Sequence, residues 1–168
     1  MDIKQEMNIF ILKLKKFENF LSRNYKIICD GDNLTKINFS SSGKKEHFYK
    51  FIPEEESLRV FEKKTDKSFK TIPLKSIIKY CYGISSSNLR KKFKSMKSQQ
   101  LKDPWLFFSF IMSDRSVDLY LEESKLCQWF YGLTYYLKKN KQKFKIISVN
   151  NFILTKMKLK LLHERKKT

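Results

Sequence analysis

Glycine and proline are scarce: the chain has 168 residues with four glycines and three prolines. That excludes collagen-like and linker-rich composition. Three cysteines, Cys29, Cys81 and Cys127, lie far apart with no CxxC, and His47 and His163 are the only histidines. No zinc site can be assembled from such spacings, and an odd, scattered set of thiols suits a reducing compartment. No apolar run approaches membrane-spanning length; the longest is Trp105–Met112. Met7–Leu12 is too short for a signal-peptide core, Asp2 excludes myristoylation, and the final residues carry no prenylation motif. The expectation is a cytoplasmic protein whose membrane contact, if any, is peripheral.

What the chain does have is basic charge and aromatics. It carries 36 Lys+Arg against 17 Asp+Glu, a formal net charge of +19, and 15% aromatic residues. So many aromatics exclude a wholly disordered basic tail. The charge is unevenly placed. Residues 36–102 hold 17 basic and 6 acidic side chains, and residues 138–168 hold 11 and 1. Between them, residues 103–137 hold 2 and 5. Anionic membranes, nucleic acids and acidic proteins are the partner classes such charge admits. Nucleic acid ranks last, because no stacking motif pairs aromatics with the basic runs.

Hydrophobic periodicity divides the chain into three parts: 1–25, 26–139 and 140–168. In the first, Ile3, Met7, Phe10, Leu14, Phe17 and Leu21 recur at steps of four and three, predicting an amphipathic helix over 3–22. The leading expectation is a helix docked on the domain, with a coiled-coil contact next. Glu6 and Glu18 interrupt the polar face and weigh against membrane insertion. From 26 to 121 the pattern is of short strands: Lys26–Phe39, Glu46–Ile52, Ser57–Glu62, Phe69–Leu74, Ser76–Tyr82, Trp105–Met112 and Ser116–Leu121. Ser85–Lys102 reads as a basic loop with a helical turn at Asn88–Phe93. Leu126, Trp129, Phe130, Leu133 and Leu137 predict a helix over Glu122–Lys139, and Ser148–Glu164 could form a last helix. Short antiparallel strands closed by one helix suit a barrel with a helix over one opening.

At this point a family resemblance enters. The loop Ser40-Ser41-Ser42-Gly43 is followed by Lys44-Lys45-Glu46-His47-Phe48-Tyr49-Lys50, and Ser116-Val117-Asp118-Leu119-Tyr120-Leu121 by a helix carrying Trp129. Together with Ile77–Gly83, Leu89 and Phe93 between them, residues 26–139 resemble a pleckstrin homology (PH) domain. The nearest variety is the N-terminal PH domain of delta-type phosphoinositide phospholipase C. The resemblance implies a seven-stranded bent antiparallel barrel capped by a C-terminal α-helix. It also implies binding of inositol phospholipid headgroups at the open end, through Lys36, Lys44, Lys45, His47, Lys63 and Lys64. Asn38 stands where that family would carry a second lysine, Gly43 replaces a bulky loop-tip residue, and His47 falls where an arginine is expected.

Strand parity reaches a similar cluster independently. Lys45, His47 and Tyr49 share one face of their strand, and a hairpin brings Lys36 and Asn38 beside it. Thr35, Ile37 and Phe39 are expected to face the core. Turn polarity agrees: the first and third turns are lysine-rich, while the second carries Glu54, Glu55 and Glu56. No nucleophile motif, glycine-rich phosphate loop or acid–base cluster is present, so neither enzymatic activity nor a cofactor is expected of this chain. The leading function is therefore membrane targeting, with phosphoinositide or another anionic lipid as partner. The alternatives are the front end of a phospholipase C lacking its catalytic part, or a PH-like scaffold that binds a protein through the N-terminal helix.

Overall fold

The computed structural model describes residues 3–38, 44–95, 106–140 and 146–148. Helix α1 (Ile3–Asp30) leads into strands β1 (Asp32–Ile37) and β2 (Lys44–Ile52). A 3-10 turn at Pro53–Glu55 then precedes β3 (Ser57–Phe61) and β4 (Lys70–Pro73). Next come β5 (Lys79–Tyr82), α2 (Ser87–Ser95), β6 (Phe107–Ile111), β7 (Ser116–Tyr120), α3 (Glu123–Lys139) and β8 (Ile146–Ser148). The strands form one sheet in the order β4-β3-β2-β1-β7-β6-β5-β8. Seven of them pair antiparallel, and β8 adds a parallel edge strand beside β5. The sheet bends around its core without closing, since β4 and β8 stand at its two ends.

Alternation decides which side chains fill the interior. Leu34, Tyr49, Phe51, Leu58, Ile72, Phe108, Phe110, Val117 and Leu119 point inward, into one core with Leu126, Trp129, Leu133 and Leu137 of α3. Trp129 is fully buried and meets Tyr49 edge-to-face at 6.4 Å between ring centroids. Burying a side chain of the Leu or Phe class contributes about 1.5–3 kcal/mol, so this interior dominates stability. Glu123 lies in the first turn of α3, where the helix dipole favours a negative charge. At the other end Asn140 Nδ2 donates to the Tyr136 carbonyl at 2.9 Å, satisfying one of the last free carbonyls.

Two expectations change here. The strand expected over Lys26–Phe39 begins only at Asp32, because α1 continues to Asp30 and buries Ile28 in the core. Gly31, at φ 89°, ends the helix in the left-handed region. A Cβ there would stand 2.4 Å from the Phe48 ring. The faces of β1 are also reversed: Ile37 points outward and is buried with Leu89 and Phe107, while Lys36 shares the inner face with Leu34. The reason is α2, whose Leu89 covers that part of the outer face and makes it a second small core. A buried polar network lies nearby. The Asp118 carboxylate accepts from Ser109 Oγ at 2.5 Å and Ser116 Oγ at 2.7 Å, and Asn88 of α2 donates to Ser116 Oγ at 3.3 Å. The helix expected over Ser148–Glu164 lies outside the described residues but for Ser148, the last residue of β8.

Candidate anion-binding mouth

One end of the barrel interior opens into a cavity of about 310 Å³. Its floor is apolar, made by Tyr49, Val60, Ile72 and Val117, and its wall is cationic, made by Lys36, Lys70, Arg115 and His47, with Glu62 at the rim. Each arrives by simple register. Lys36 lies opposite Lys45 and Leu34 opposite His47 in the β1–β2 ladder, so parity turns Lys36, Lys45 and His47 to one face. Lys70 is two residues before the inward Ile72 on β4. Arg115 ends the β6–β7 turn, where its backbone carbonyl accepts from Met112 N–H at 2.9 Å.

The wall of the cavity is predominantly positive. Burial, then the charges of Lys70 and Arg115, hold the Lys36 amine below the usual lysine range. Burial, then Lys45 and Lys36, lower the His47 imidazole in the same way. Its Nδ1 is buried without a hydrogen-bond partner among the described residues. Lys45 donates to Glu62 at 3.2 Å, and that hydrogen bond holds the Glu62 carboxyl below the usual carboxylate range. Among the described residues no ion-pair partner meets Lys36, Lys70 or Arg115. An anion entering here would replace lost hydration and relieve like-charge repulsion at once.

Of the six residues expected to bind a headgroup, the fold brings Lys36 and His47 into the cavity and sets Lys45 at its rim through Glu62. Lys44 and Lys64 face elsewhere, and Lys63 is not among the residues lining the cavity. Lys44 has the opposite parity, and its amine lies 4.4 Å from the centre of the Tyr120 ring on the outer face. Lys64 sits 5.7 Å from the centre of the Phe48 ring, also outside. Lys63 begins the β3–β4 turn, its backbone N–H donating to the Asp66 carboxylate at 2.8 Å. Sequence reasoning missed Lys70 and Arg115. Both were accessible: Lys70 by alternation with Ile72, and Arg115 by carrying turn polarity on to the last hairpin.

Two antiparallel runs, β1–β4 and β5–β7, joined edge to edge between β1 and β7 and followed by a helix whose tryptophan fills the interior, give the topology expected above. The fold is PH-like. No protein-family pattern matches the chain, and no curated protein does. Among solved structures it is similar to inner membrane complex sub-compartment protein 3 of Toxoplasma gondii, at 15% identity and TM-score 0.45, over 76% of this chain and 87% of that one. Sub-compartment protein 1 of the same organism aligns at 16% identity and TM-score 0.48, over 74% and 92%. PLC21 of S. officinalis aligns at 13% identity and TM-score 0.45, over 66% of this chain and 16% of that one. At TM-scores below 0.5 these alignments add nothing to what the strand order shows.

Proposed function

We propose that this chain is a peripheral membrane-targeting module that binds the phosphate groups of an anionic lipid headgroup, a phosphoinositide in particular, in the cationic mouth of its PH-like barrel. One observation carries the reading: Lys36, Lys70 and Arg115 converge on one cavity from three separate elements with no ion-pair partner among the described residues. Cations carried on three separate elements around an apolar floor suit a compact polyphosphate, and Lys45 and His47 extend the wall. The resemblance at Lys44–Lys50 to delta-type phospholipase C PH domains supports phosphoinositide as the headgroup and the cytoplasmic face of a membrane as the location. No described helix is long and apolar enough to cross a membrane. Each lysine or arginine near an anionic surface contributes about 1 kcal/mol.

Vesicle co-sedimentation tests this. Phosphatidylcholine vesicles doped with a phosphoinositide bisphosphate should bind the chain more tightly than vesicles of equal charge made with phosphatidylserine. Reversing two charges, Lys36→Glu with Arg115→Glu, should weaken the phosphoinositide-dependent part at least ~10-fold. Lys64→Glu, on the outer face, should leave that preference in place. Equal binding to both vesicle types, or binding indifferent to the double variant, would sink the headgroup reading.

A further inference from the structure

We propose that the N-terminal half of α1 is a second, independent membrane contact, which lies in the plane of an anionic bilayer with its apolar stripe in the lipid. The helix divides sharply near Phe17. Beyond it, Phe20 packs edge-to-face on Tyr131 at 5.3 Å, Tyr25 stacks with Tyr136 at 6.1 Å, and Ile28 is fully buried. Before it, every side chain described between 5 and 16 is exposed. Those include Met7 at 60%, Ile11 at 43%, Leu12 at 58% and Leu14 at 42%. Met7, Ile11 and Leu14 fall at i, i+4 and i+7, on one stripe. Residues 5–16 thus make about 18 Å of helix, at 1.5 Å per residue, whose described side chains face solvent. A helical segment of that length is marginal in water without something to cover its apolar side.

Charge and composition select the occupant. Lys13 and Lys15 flank the stripe on its two sides and Lys16 lies behind it; all three are exposed. A second copy would bring lysine against lysine, on top of the repulsion between two chains of net charge +19. The cover must therefore be anionic. Between an acidic helix and an anionic bilayer, the run Met7–Leu14 favours the bilayer. Lys13 and Lys15 stand at the two edges of the stripe, where long stems lie along apolar surface while the amines reach outward to headgroup phosphates. Lysines at both edges of an apolar stripe fit a helix lying in an anionic interface. Of the two glutamates that weigh against insertion in sequence, Glu18 belongs to the half that docks on the body.

Hydrogen–deuterium exchange on the full chain tests this with vesicles of phosphatidylcholine, alone or with phosphatidylserine, and no phosphoinositide. The amides of residues 5–16 should exchange fast without lipid, and slow at least ~10-fold with phosphatidylserine vesicles but not with phosphatidylcholine alone. Ile11→Glu with Leu14→Glu, both at exposed positions, should abolish that protection while circular dichroism and phosphoinositide-dependent binding persist. Lys36→Glu with Arg115→Glu should leave it in place, which separates this contact from the mouth. Three results would overturn the proposal: no protection on anionic vesicles; protection that grows with protein concentration in the absence of lipid, marking self-association; or protection that vanishes in the mouth variant.

Discussion

The two ends of the barrel handle charge differently. At the end of the β2–β3 turn, charges are consumed within the fold. Glu55 accepts from Arg59 and from Ser57 Oγ, and the Tyr136 hydroxyl of α3 lies 3.4 Å from both the Pro53 carbonyl and Glu56 Oε1. At the mouth, Lys70 and Arg115 act on Lys36 as like charges, and the ion pair Lys45–Glu62 lies at the rim. The first arrangement holds a turn against its helix. The second sets a half-buried lysine among like charges, and burial together with those charges lowers its pKa.

The largest expected effect breaks the comparison from the structural side. Trp129→Ala empties the interior beneath the helix and should cost about 3–5 kcal/mol in urea denaturation. A loss below about 1 kcal/mol would mean that the core is held elsewhere. Gly132→Ala comes next. Its Cβ would stand 2.9 Å from the Asn24 carbonyl oxygen where α1 crosses α3, so a loss of about 1–3 kcal/mol is expected. At the mouth the sign should reverse. Lys36→Met removes a half-buried cation from among like charges, so the denaturation midpoint should rise while phosphoinositide binding falls. A fall in both would show that Lys36 supports the fold instead.

A smaller effect is a pH dependence centred on His47. Its folded-state pKa lies below the unfolded value of about 6.5. The unfolded chain therefore takes up the proton first as pH falls. This contribution is fully present above about pH 6.5 and is lost progressively below it, down to the folded pKa. His47→Gln should flatten that part of the stability profile. A polyphosphate in the mouth should restore stability on the acid side, because it favours the protonated imidazole. The smallest effect sharpens the contrast: Glu55→Gln, at the opposite end, should leave vesicle binding unchanged.

Much of this was legible in the sequence because it depends on period. The stripe Leu126–Trp129–Leu133–Leu137 gave α3 to within a residue, and the β6–β7 hairpin around Ser113-Asp114-Arg115 fell where alternation put it. The strand expected over Phe69–Leu74 is Lys70–Pro73 and lies at a sheet edge, where a proline's missing N–H is tolerated. Lys26–Asp30 failed because Ile27 and Ile28 suit a strand as well as a buried helix face, and only docking on α3 decides between them. Thr35 and Ile37 failed because α2 gives β1 two apolar faces, and alternation cannot say which one is the interior. The cluster itself was half legible. Parity joined Lys36, Lys45 and His47, whereas counting lysines in turns also gathered Lys44 and Lys64, whose amines lie over aromatic rings on the far side of the sheet.

Gly31 carries a mechanical consequence. It is the single residue between α1 and β1, its backbone conformation leaves little room for any other amino acid, and Phe48 closes over it. The exposed stretch of α1 over residues 5–16 is therefore a lever about 18 Å long, on a helix held at Phe20, Tyr25 and Ile28 and joined to the strand that bears Lys36. Were that stretch to lie on a bilayer, as proposed, its tilt would set the attitude of the whole barrel, and a pair of probes, one near Leu12 and one on the β6–β7 turn, would read that angle directly.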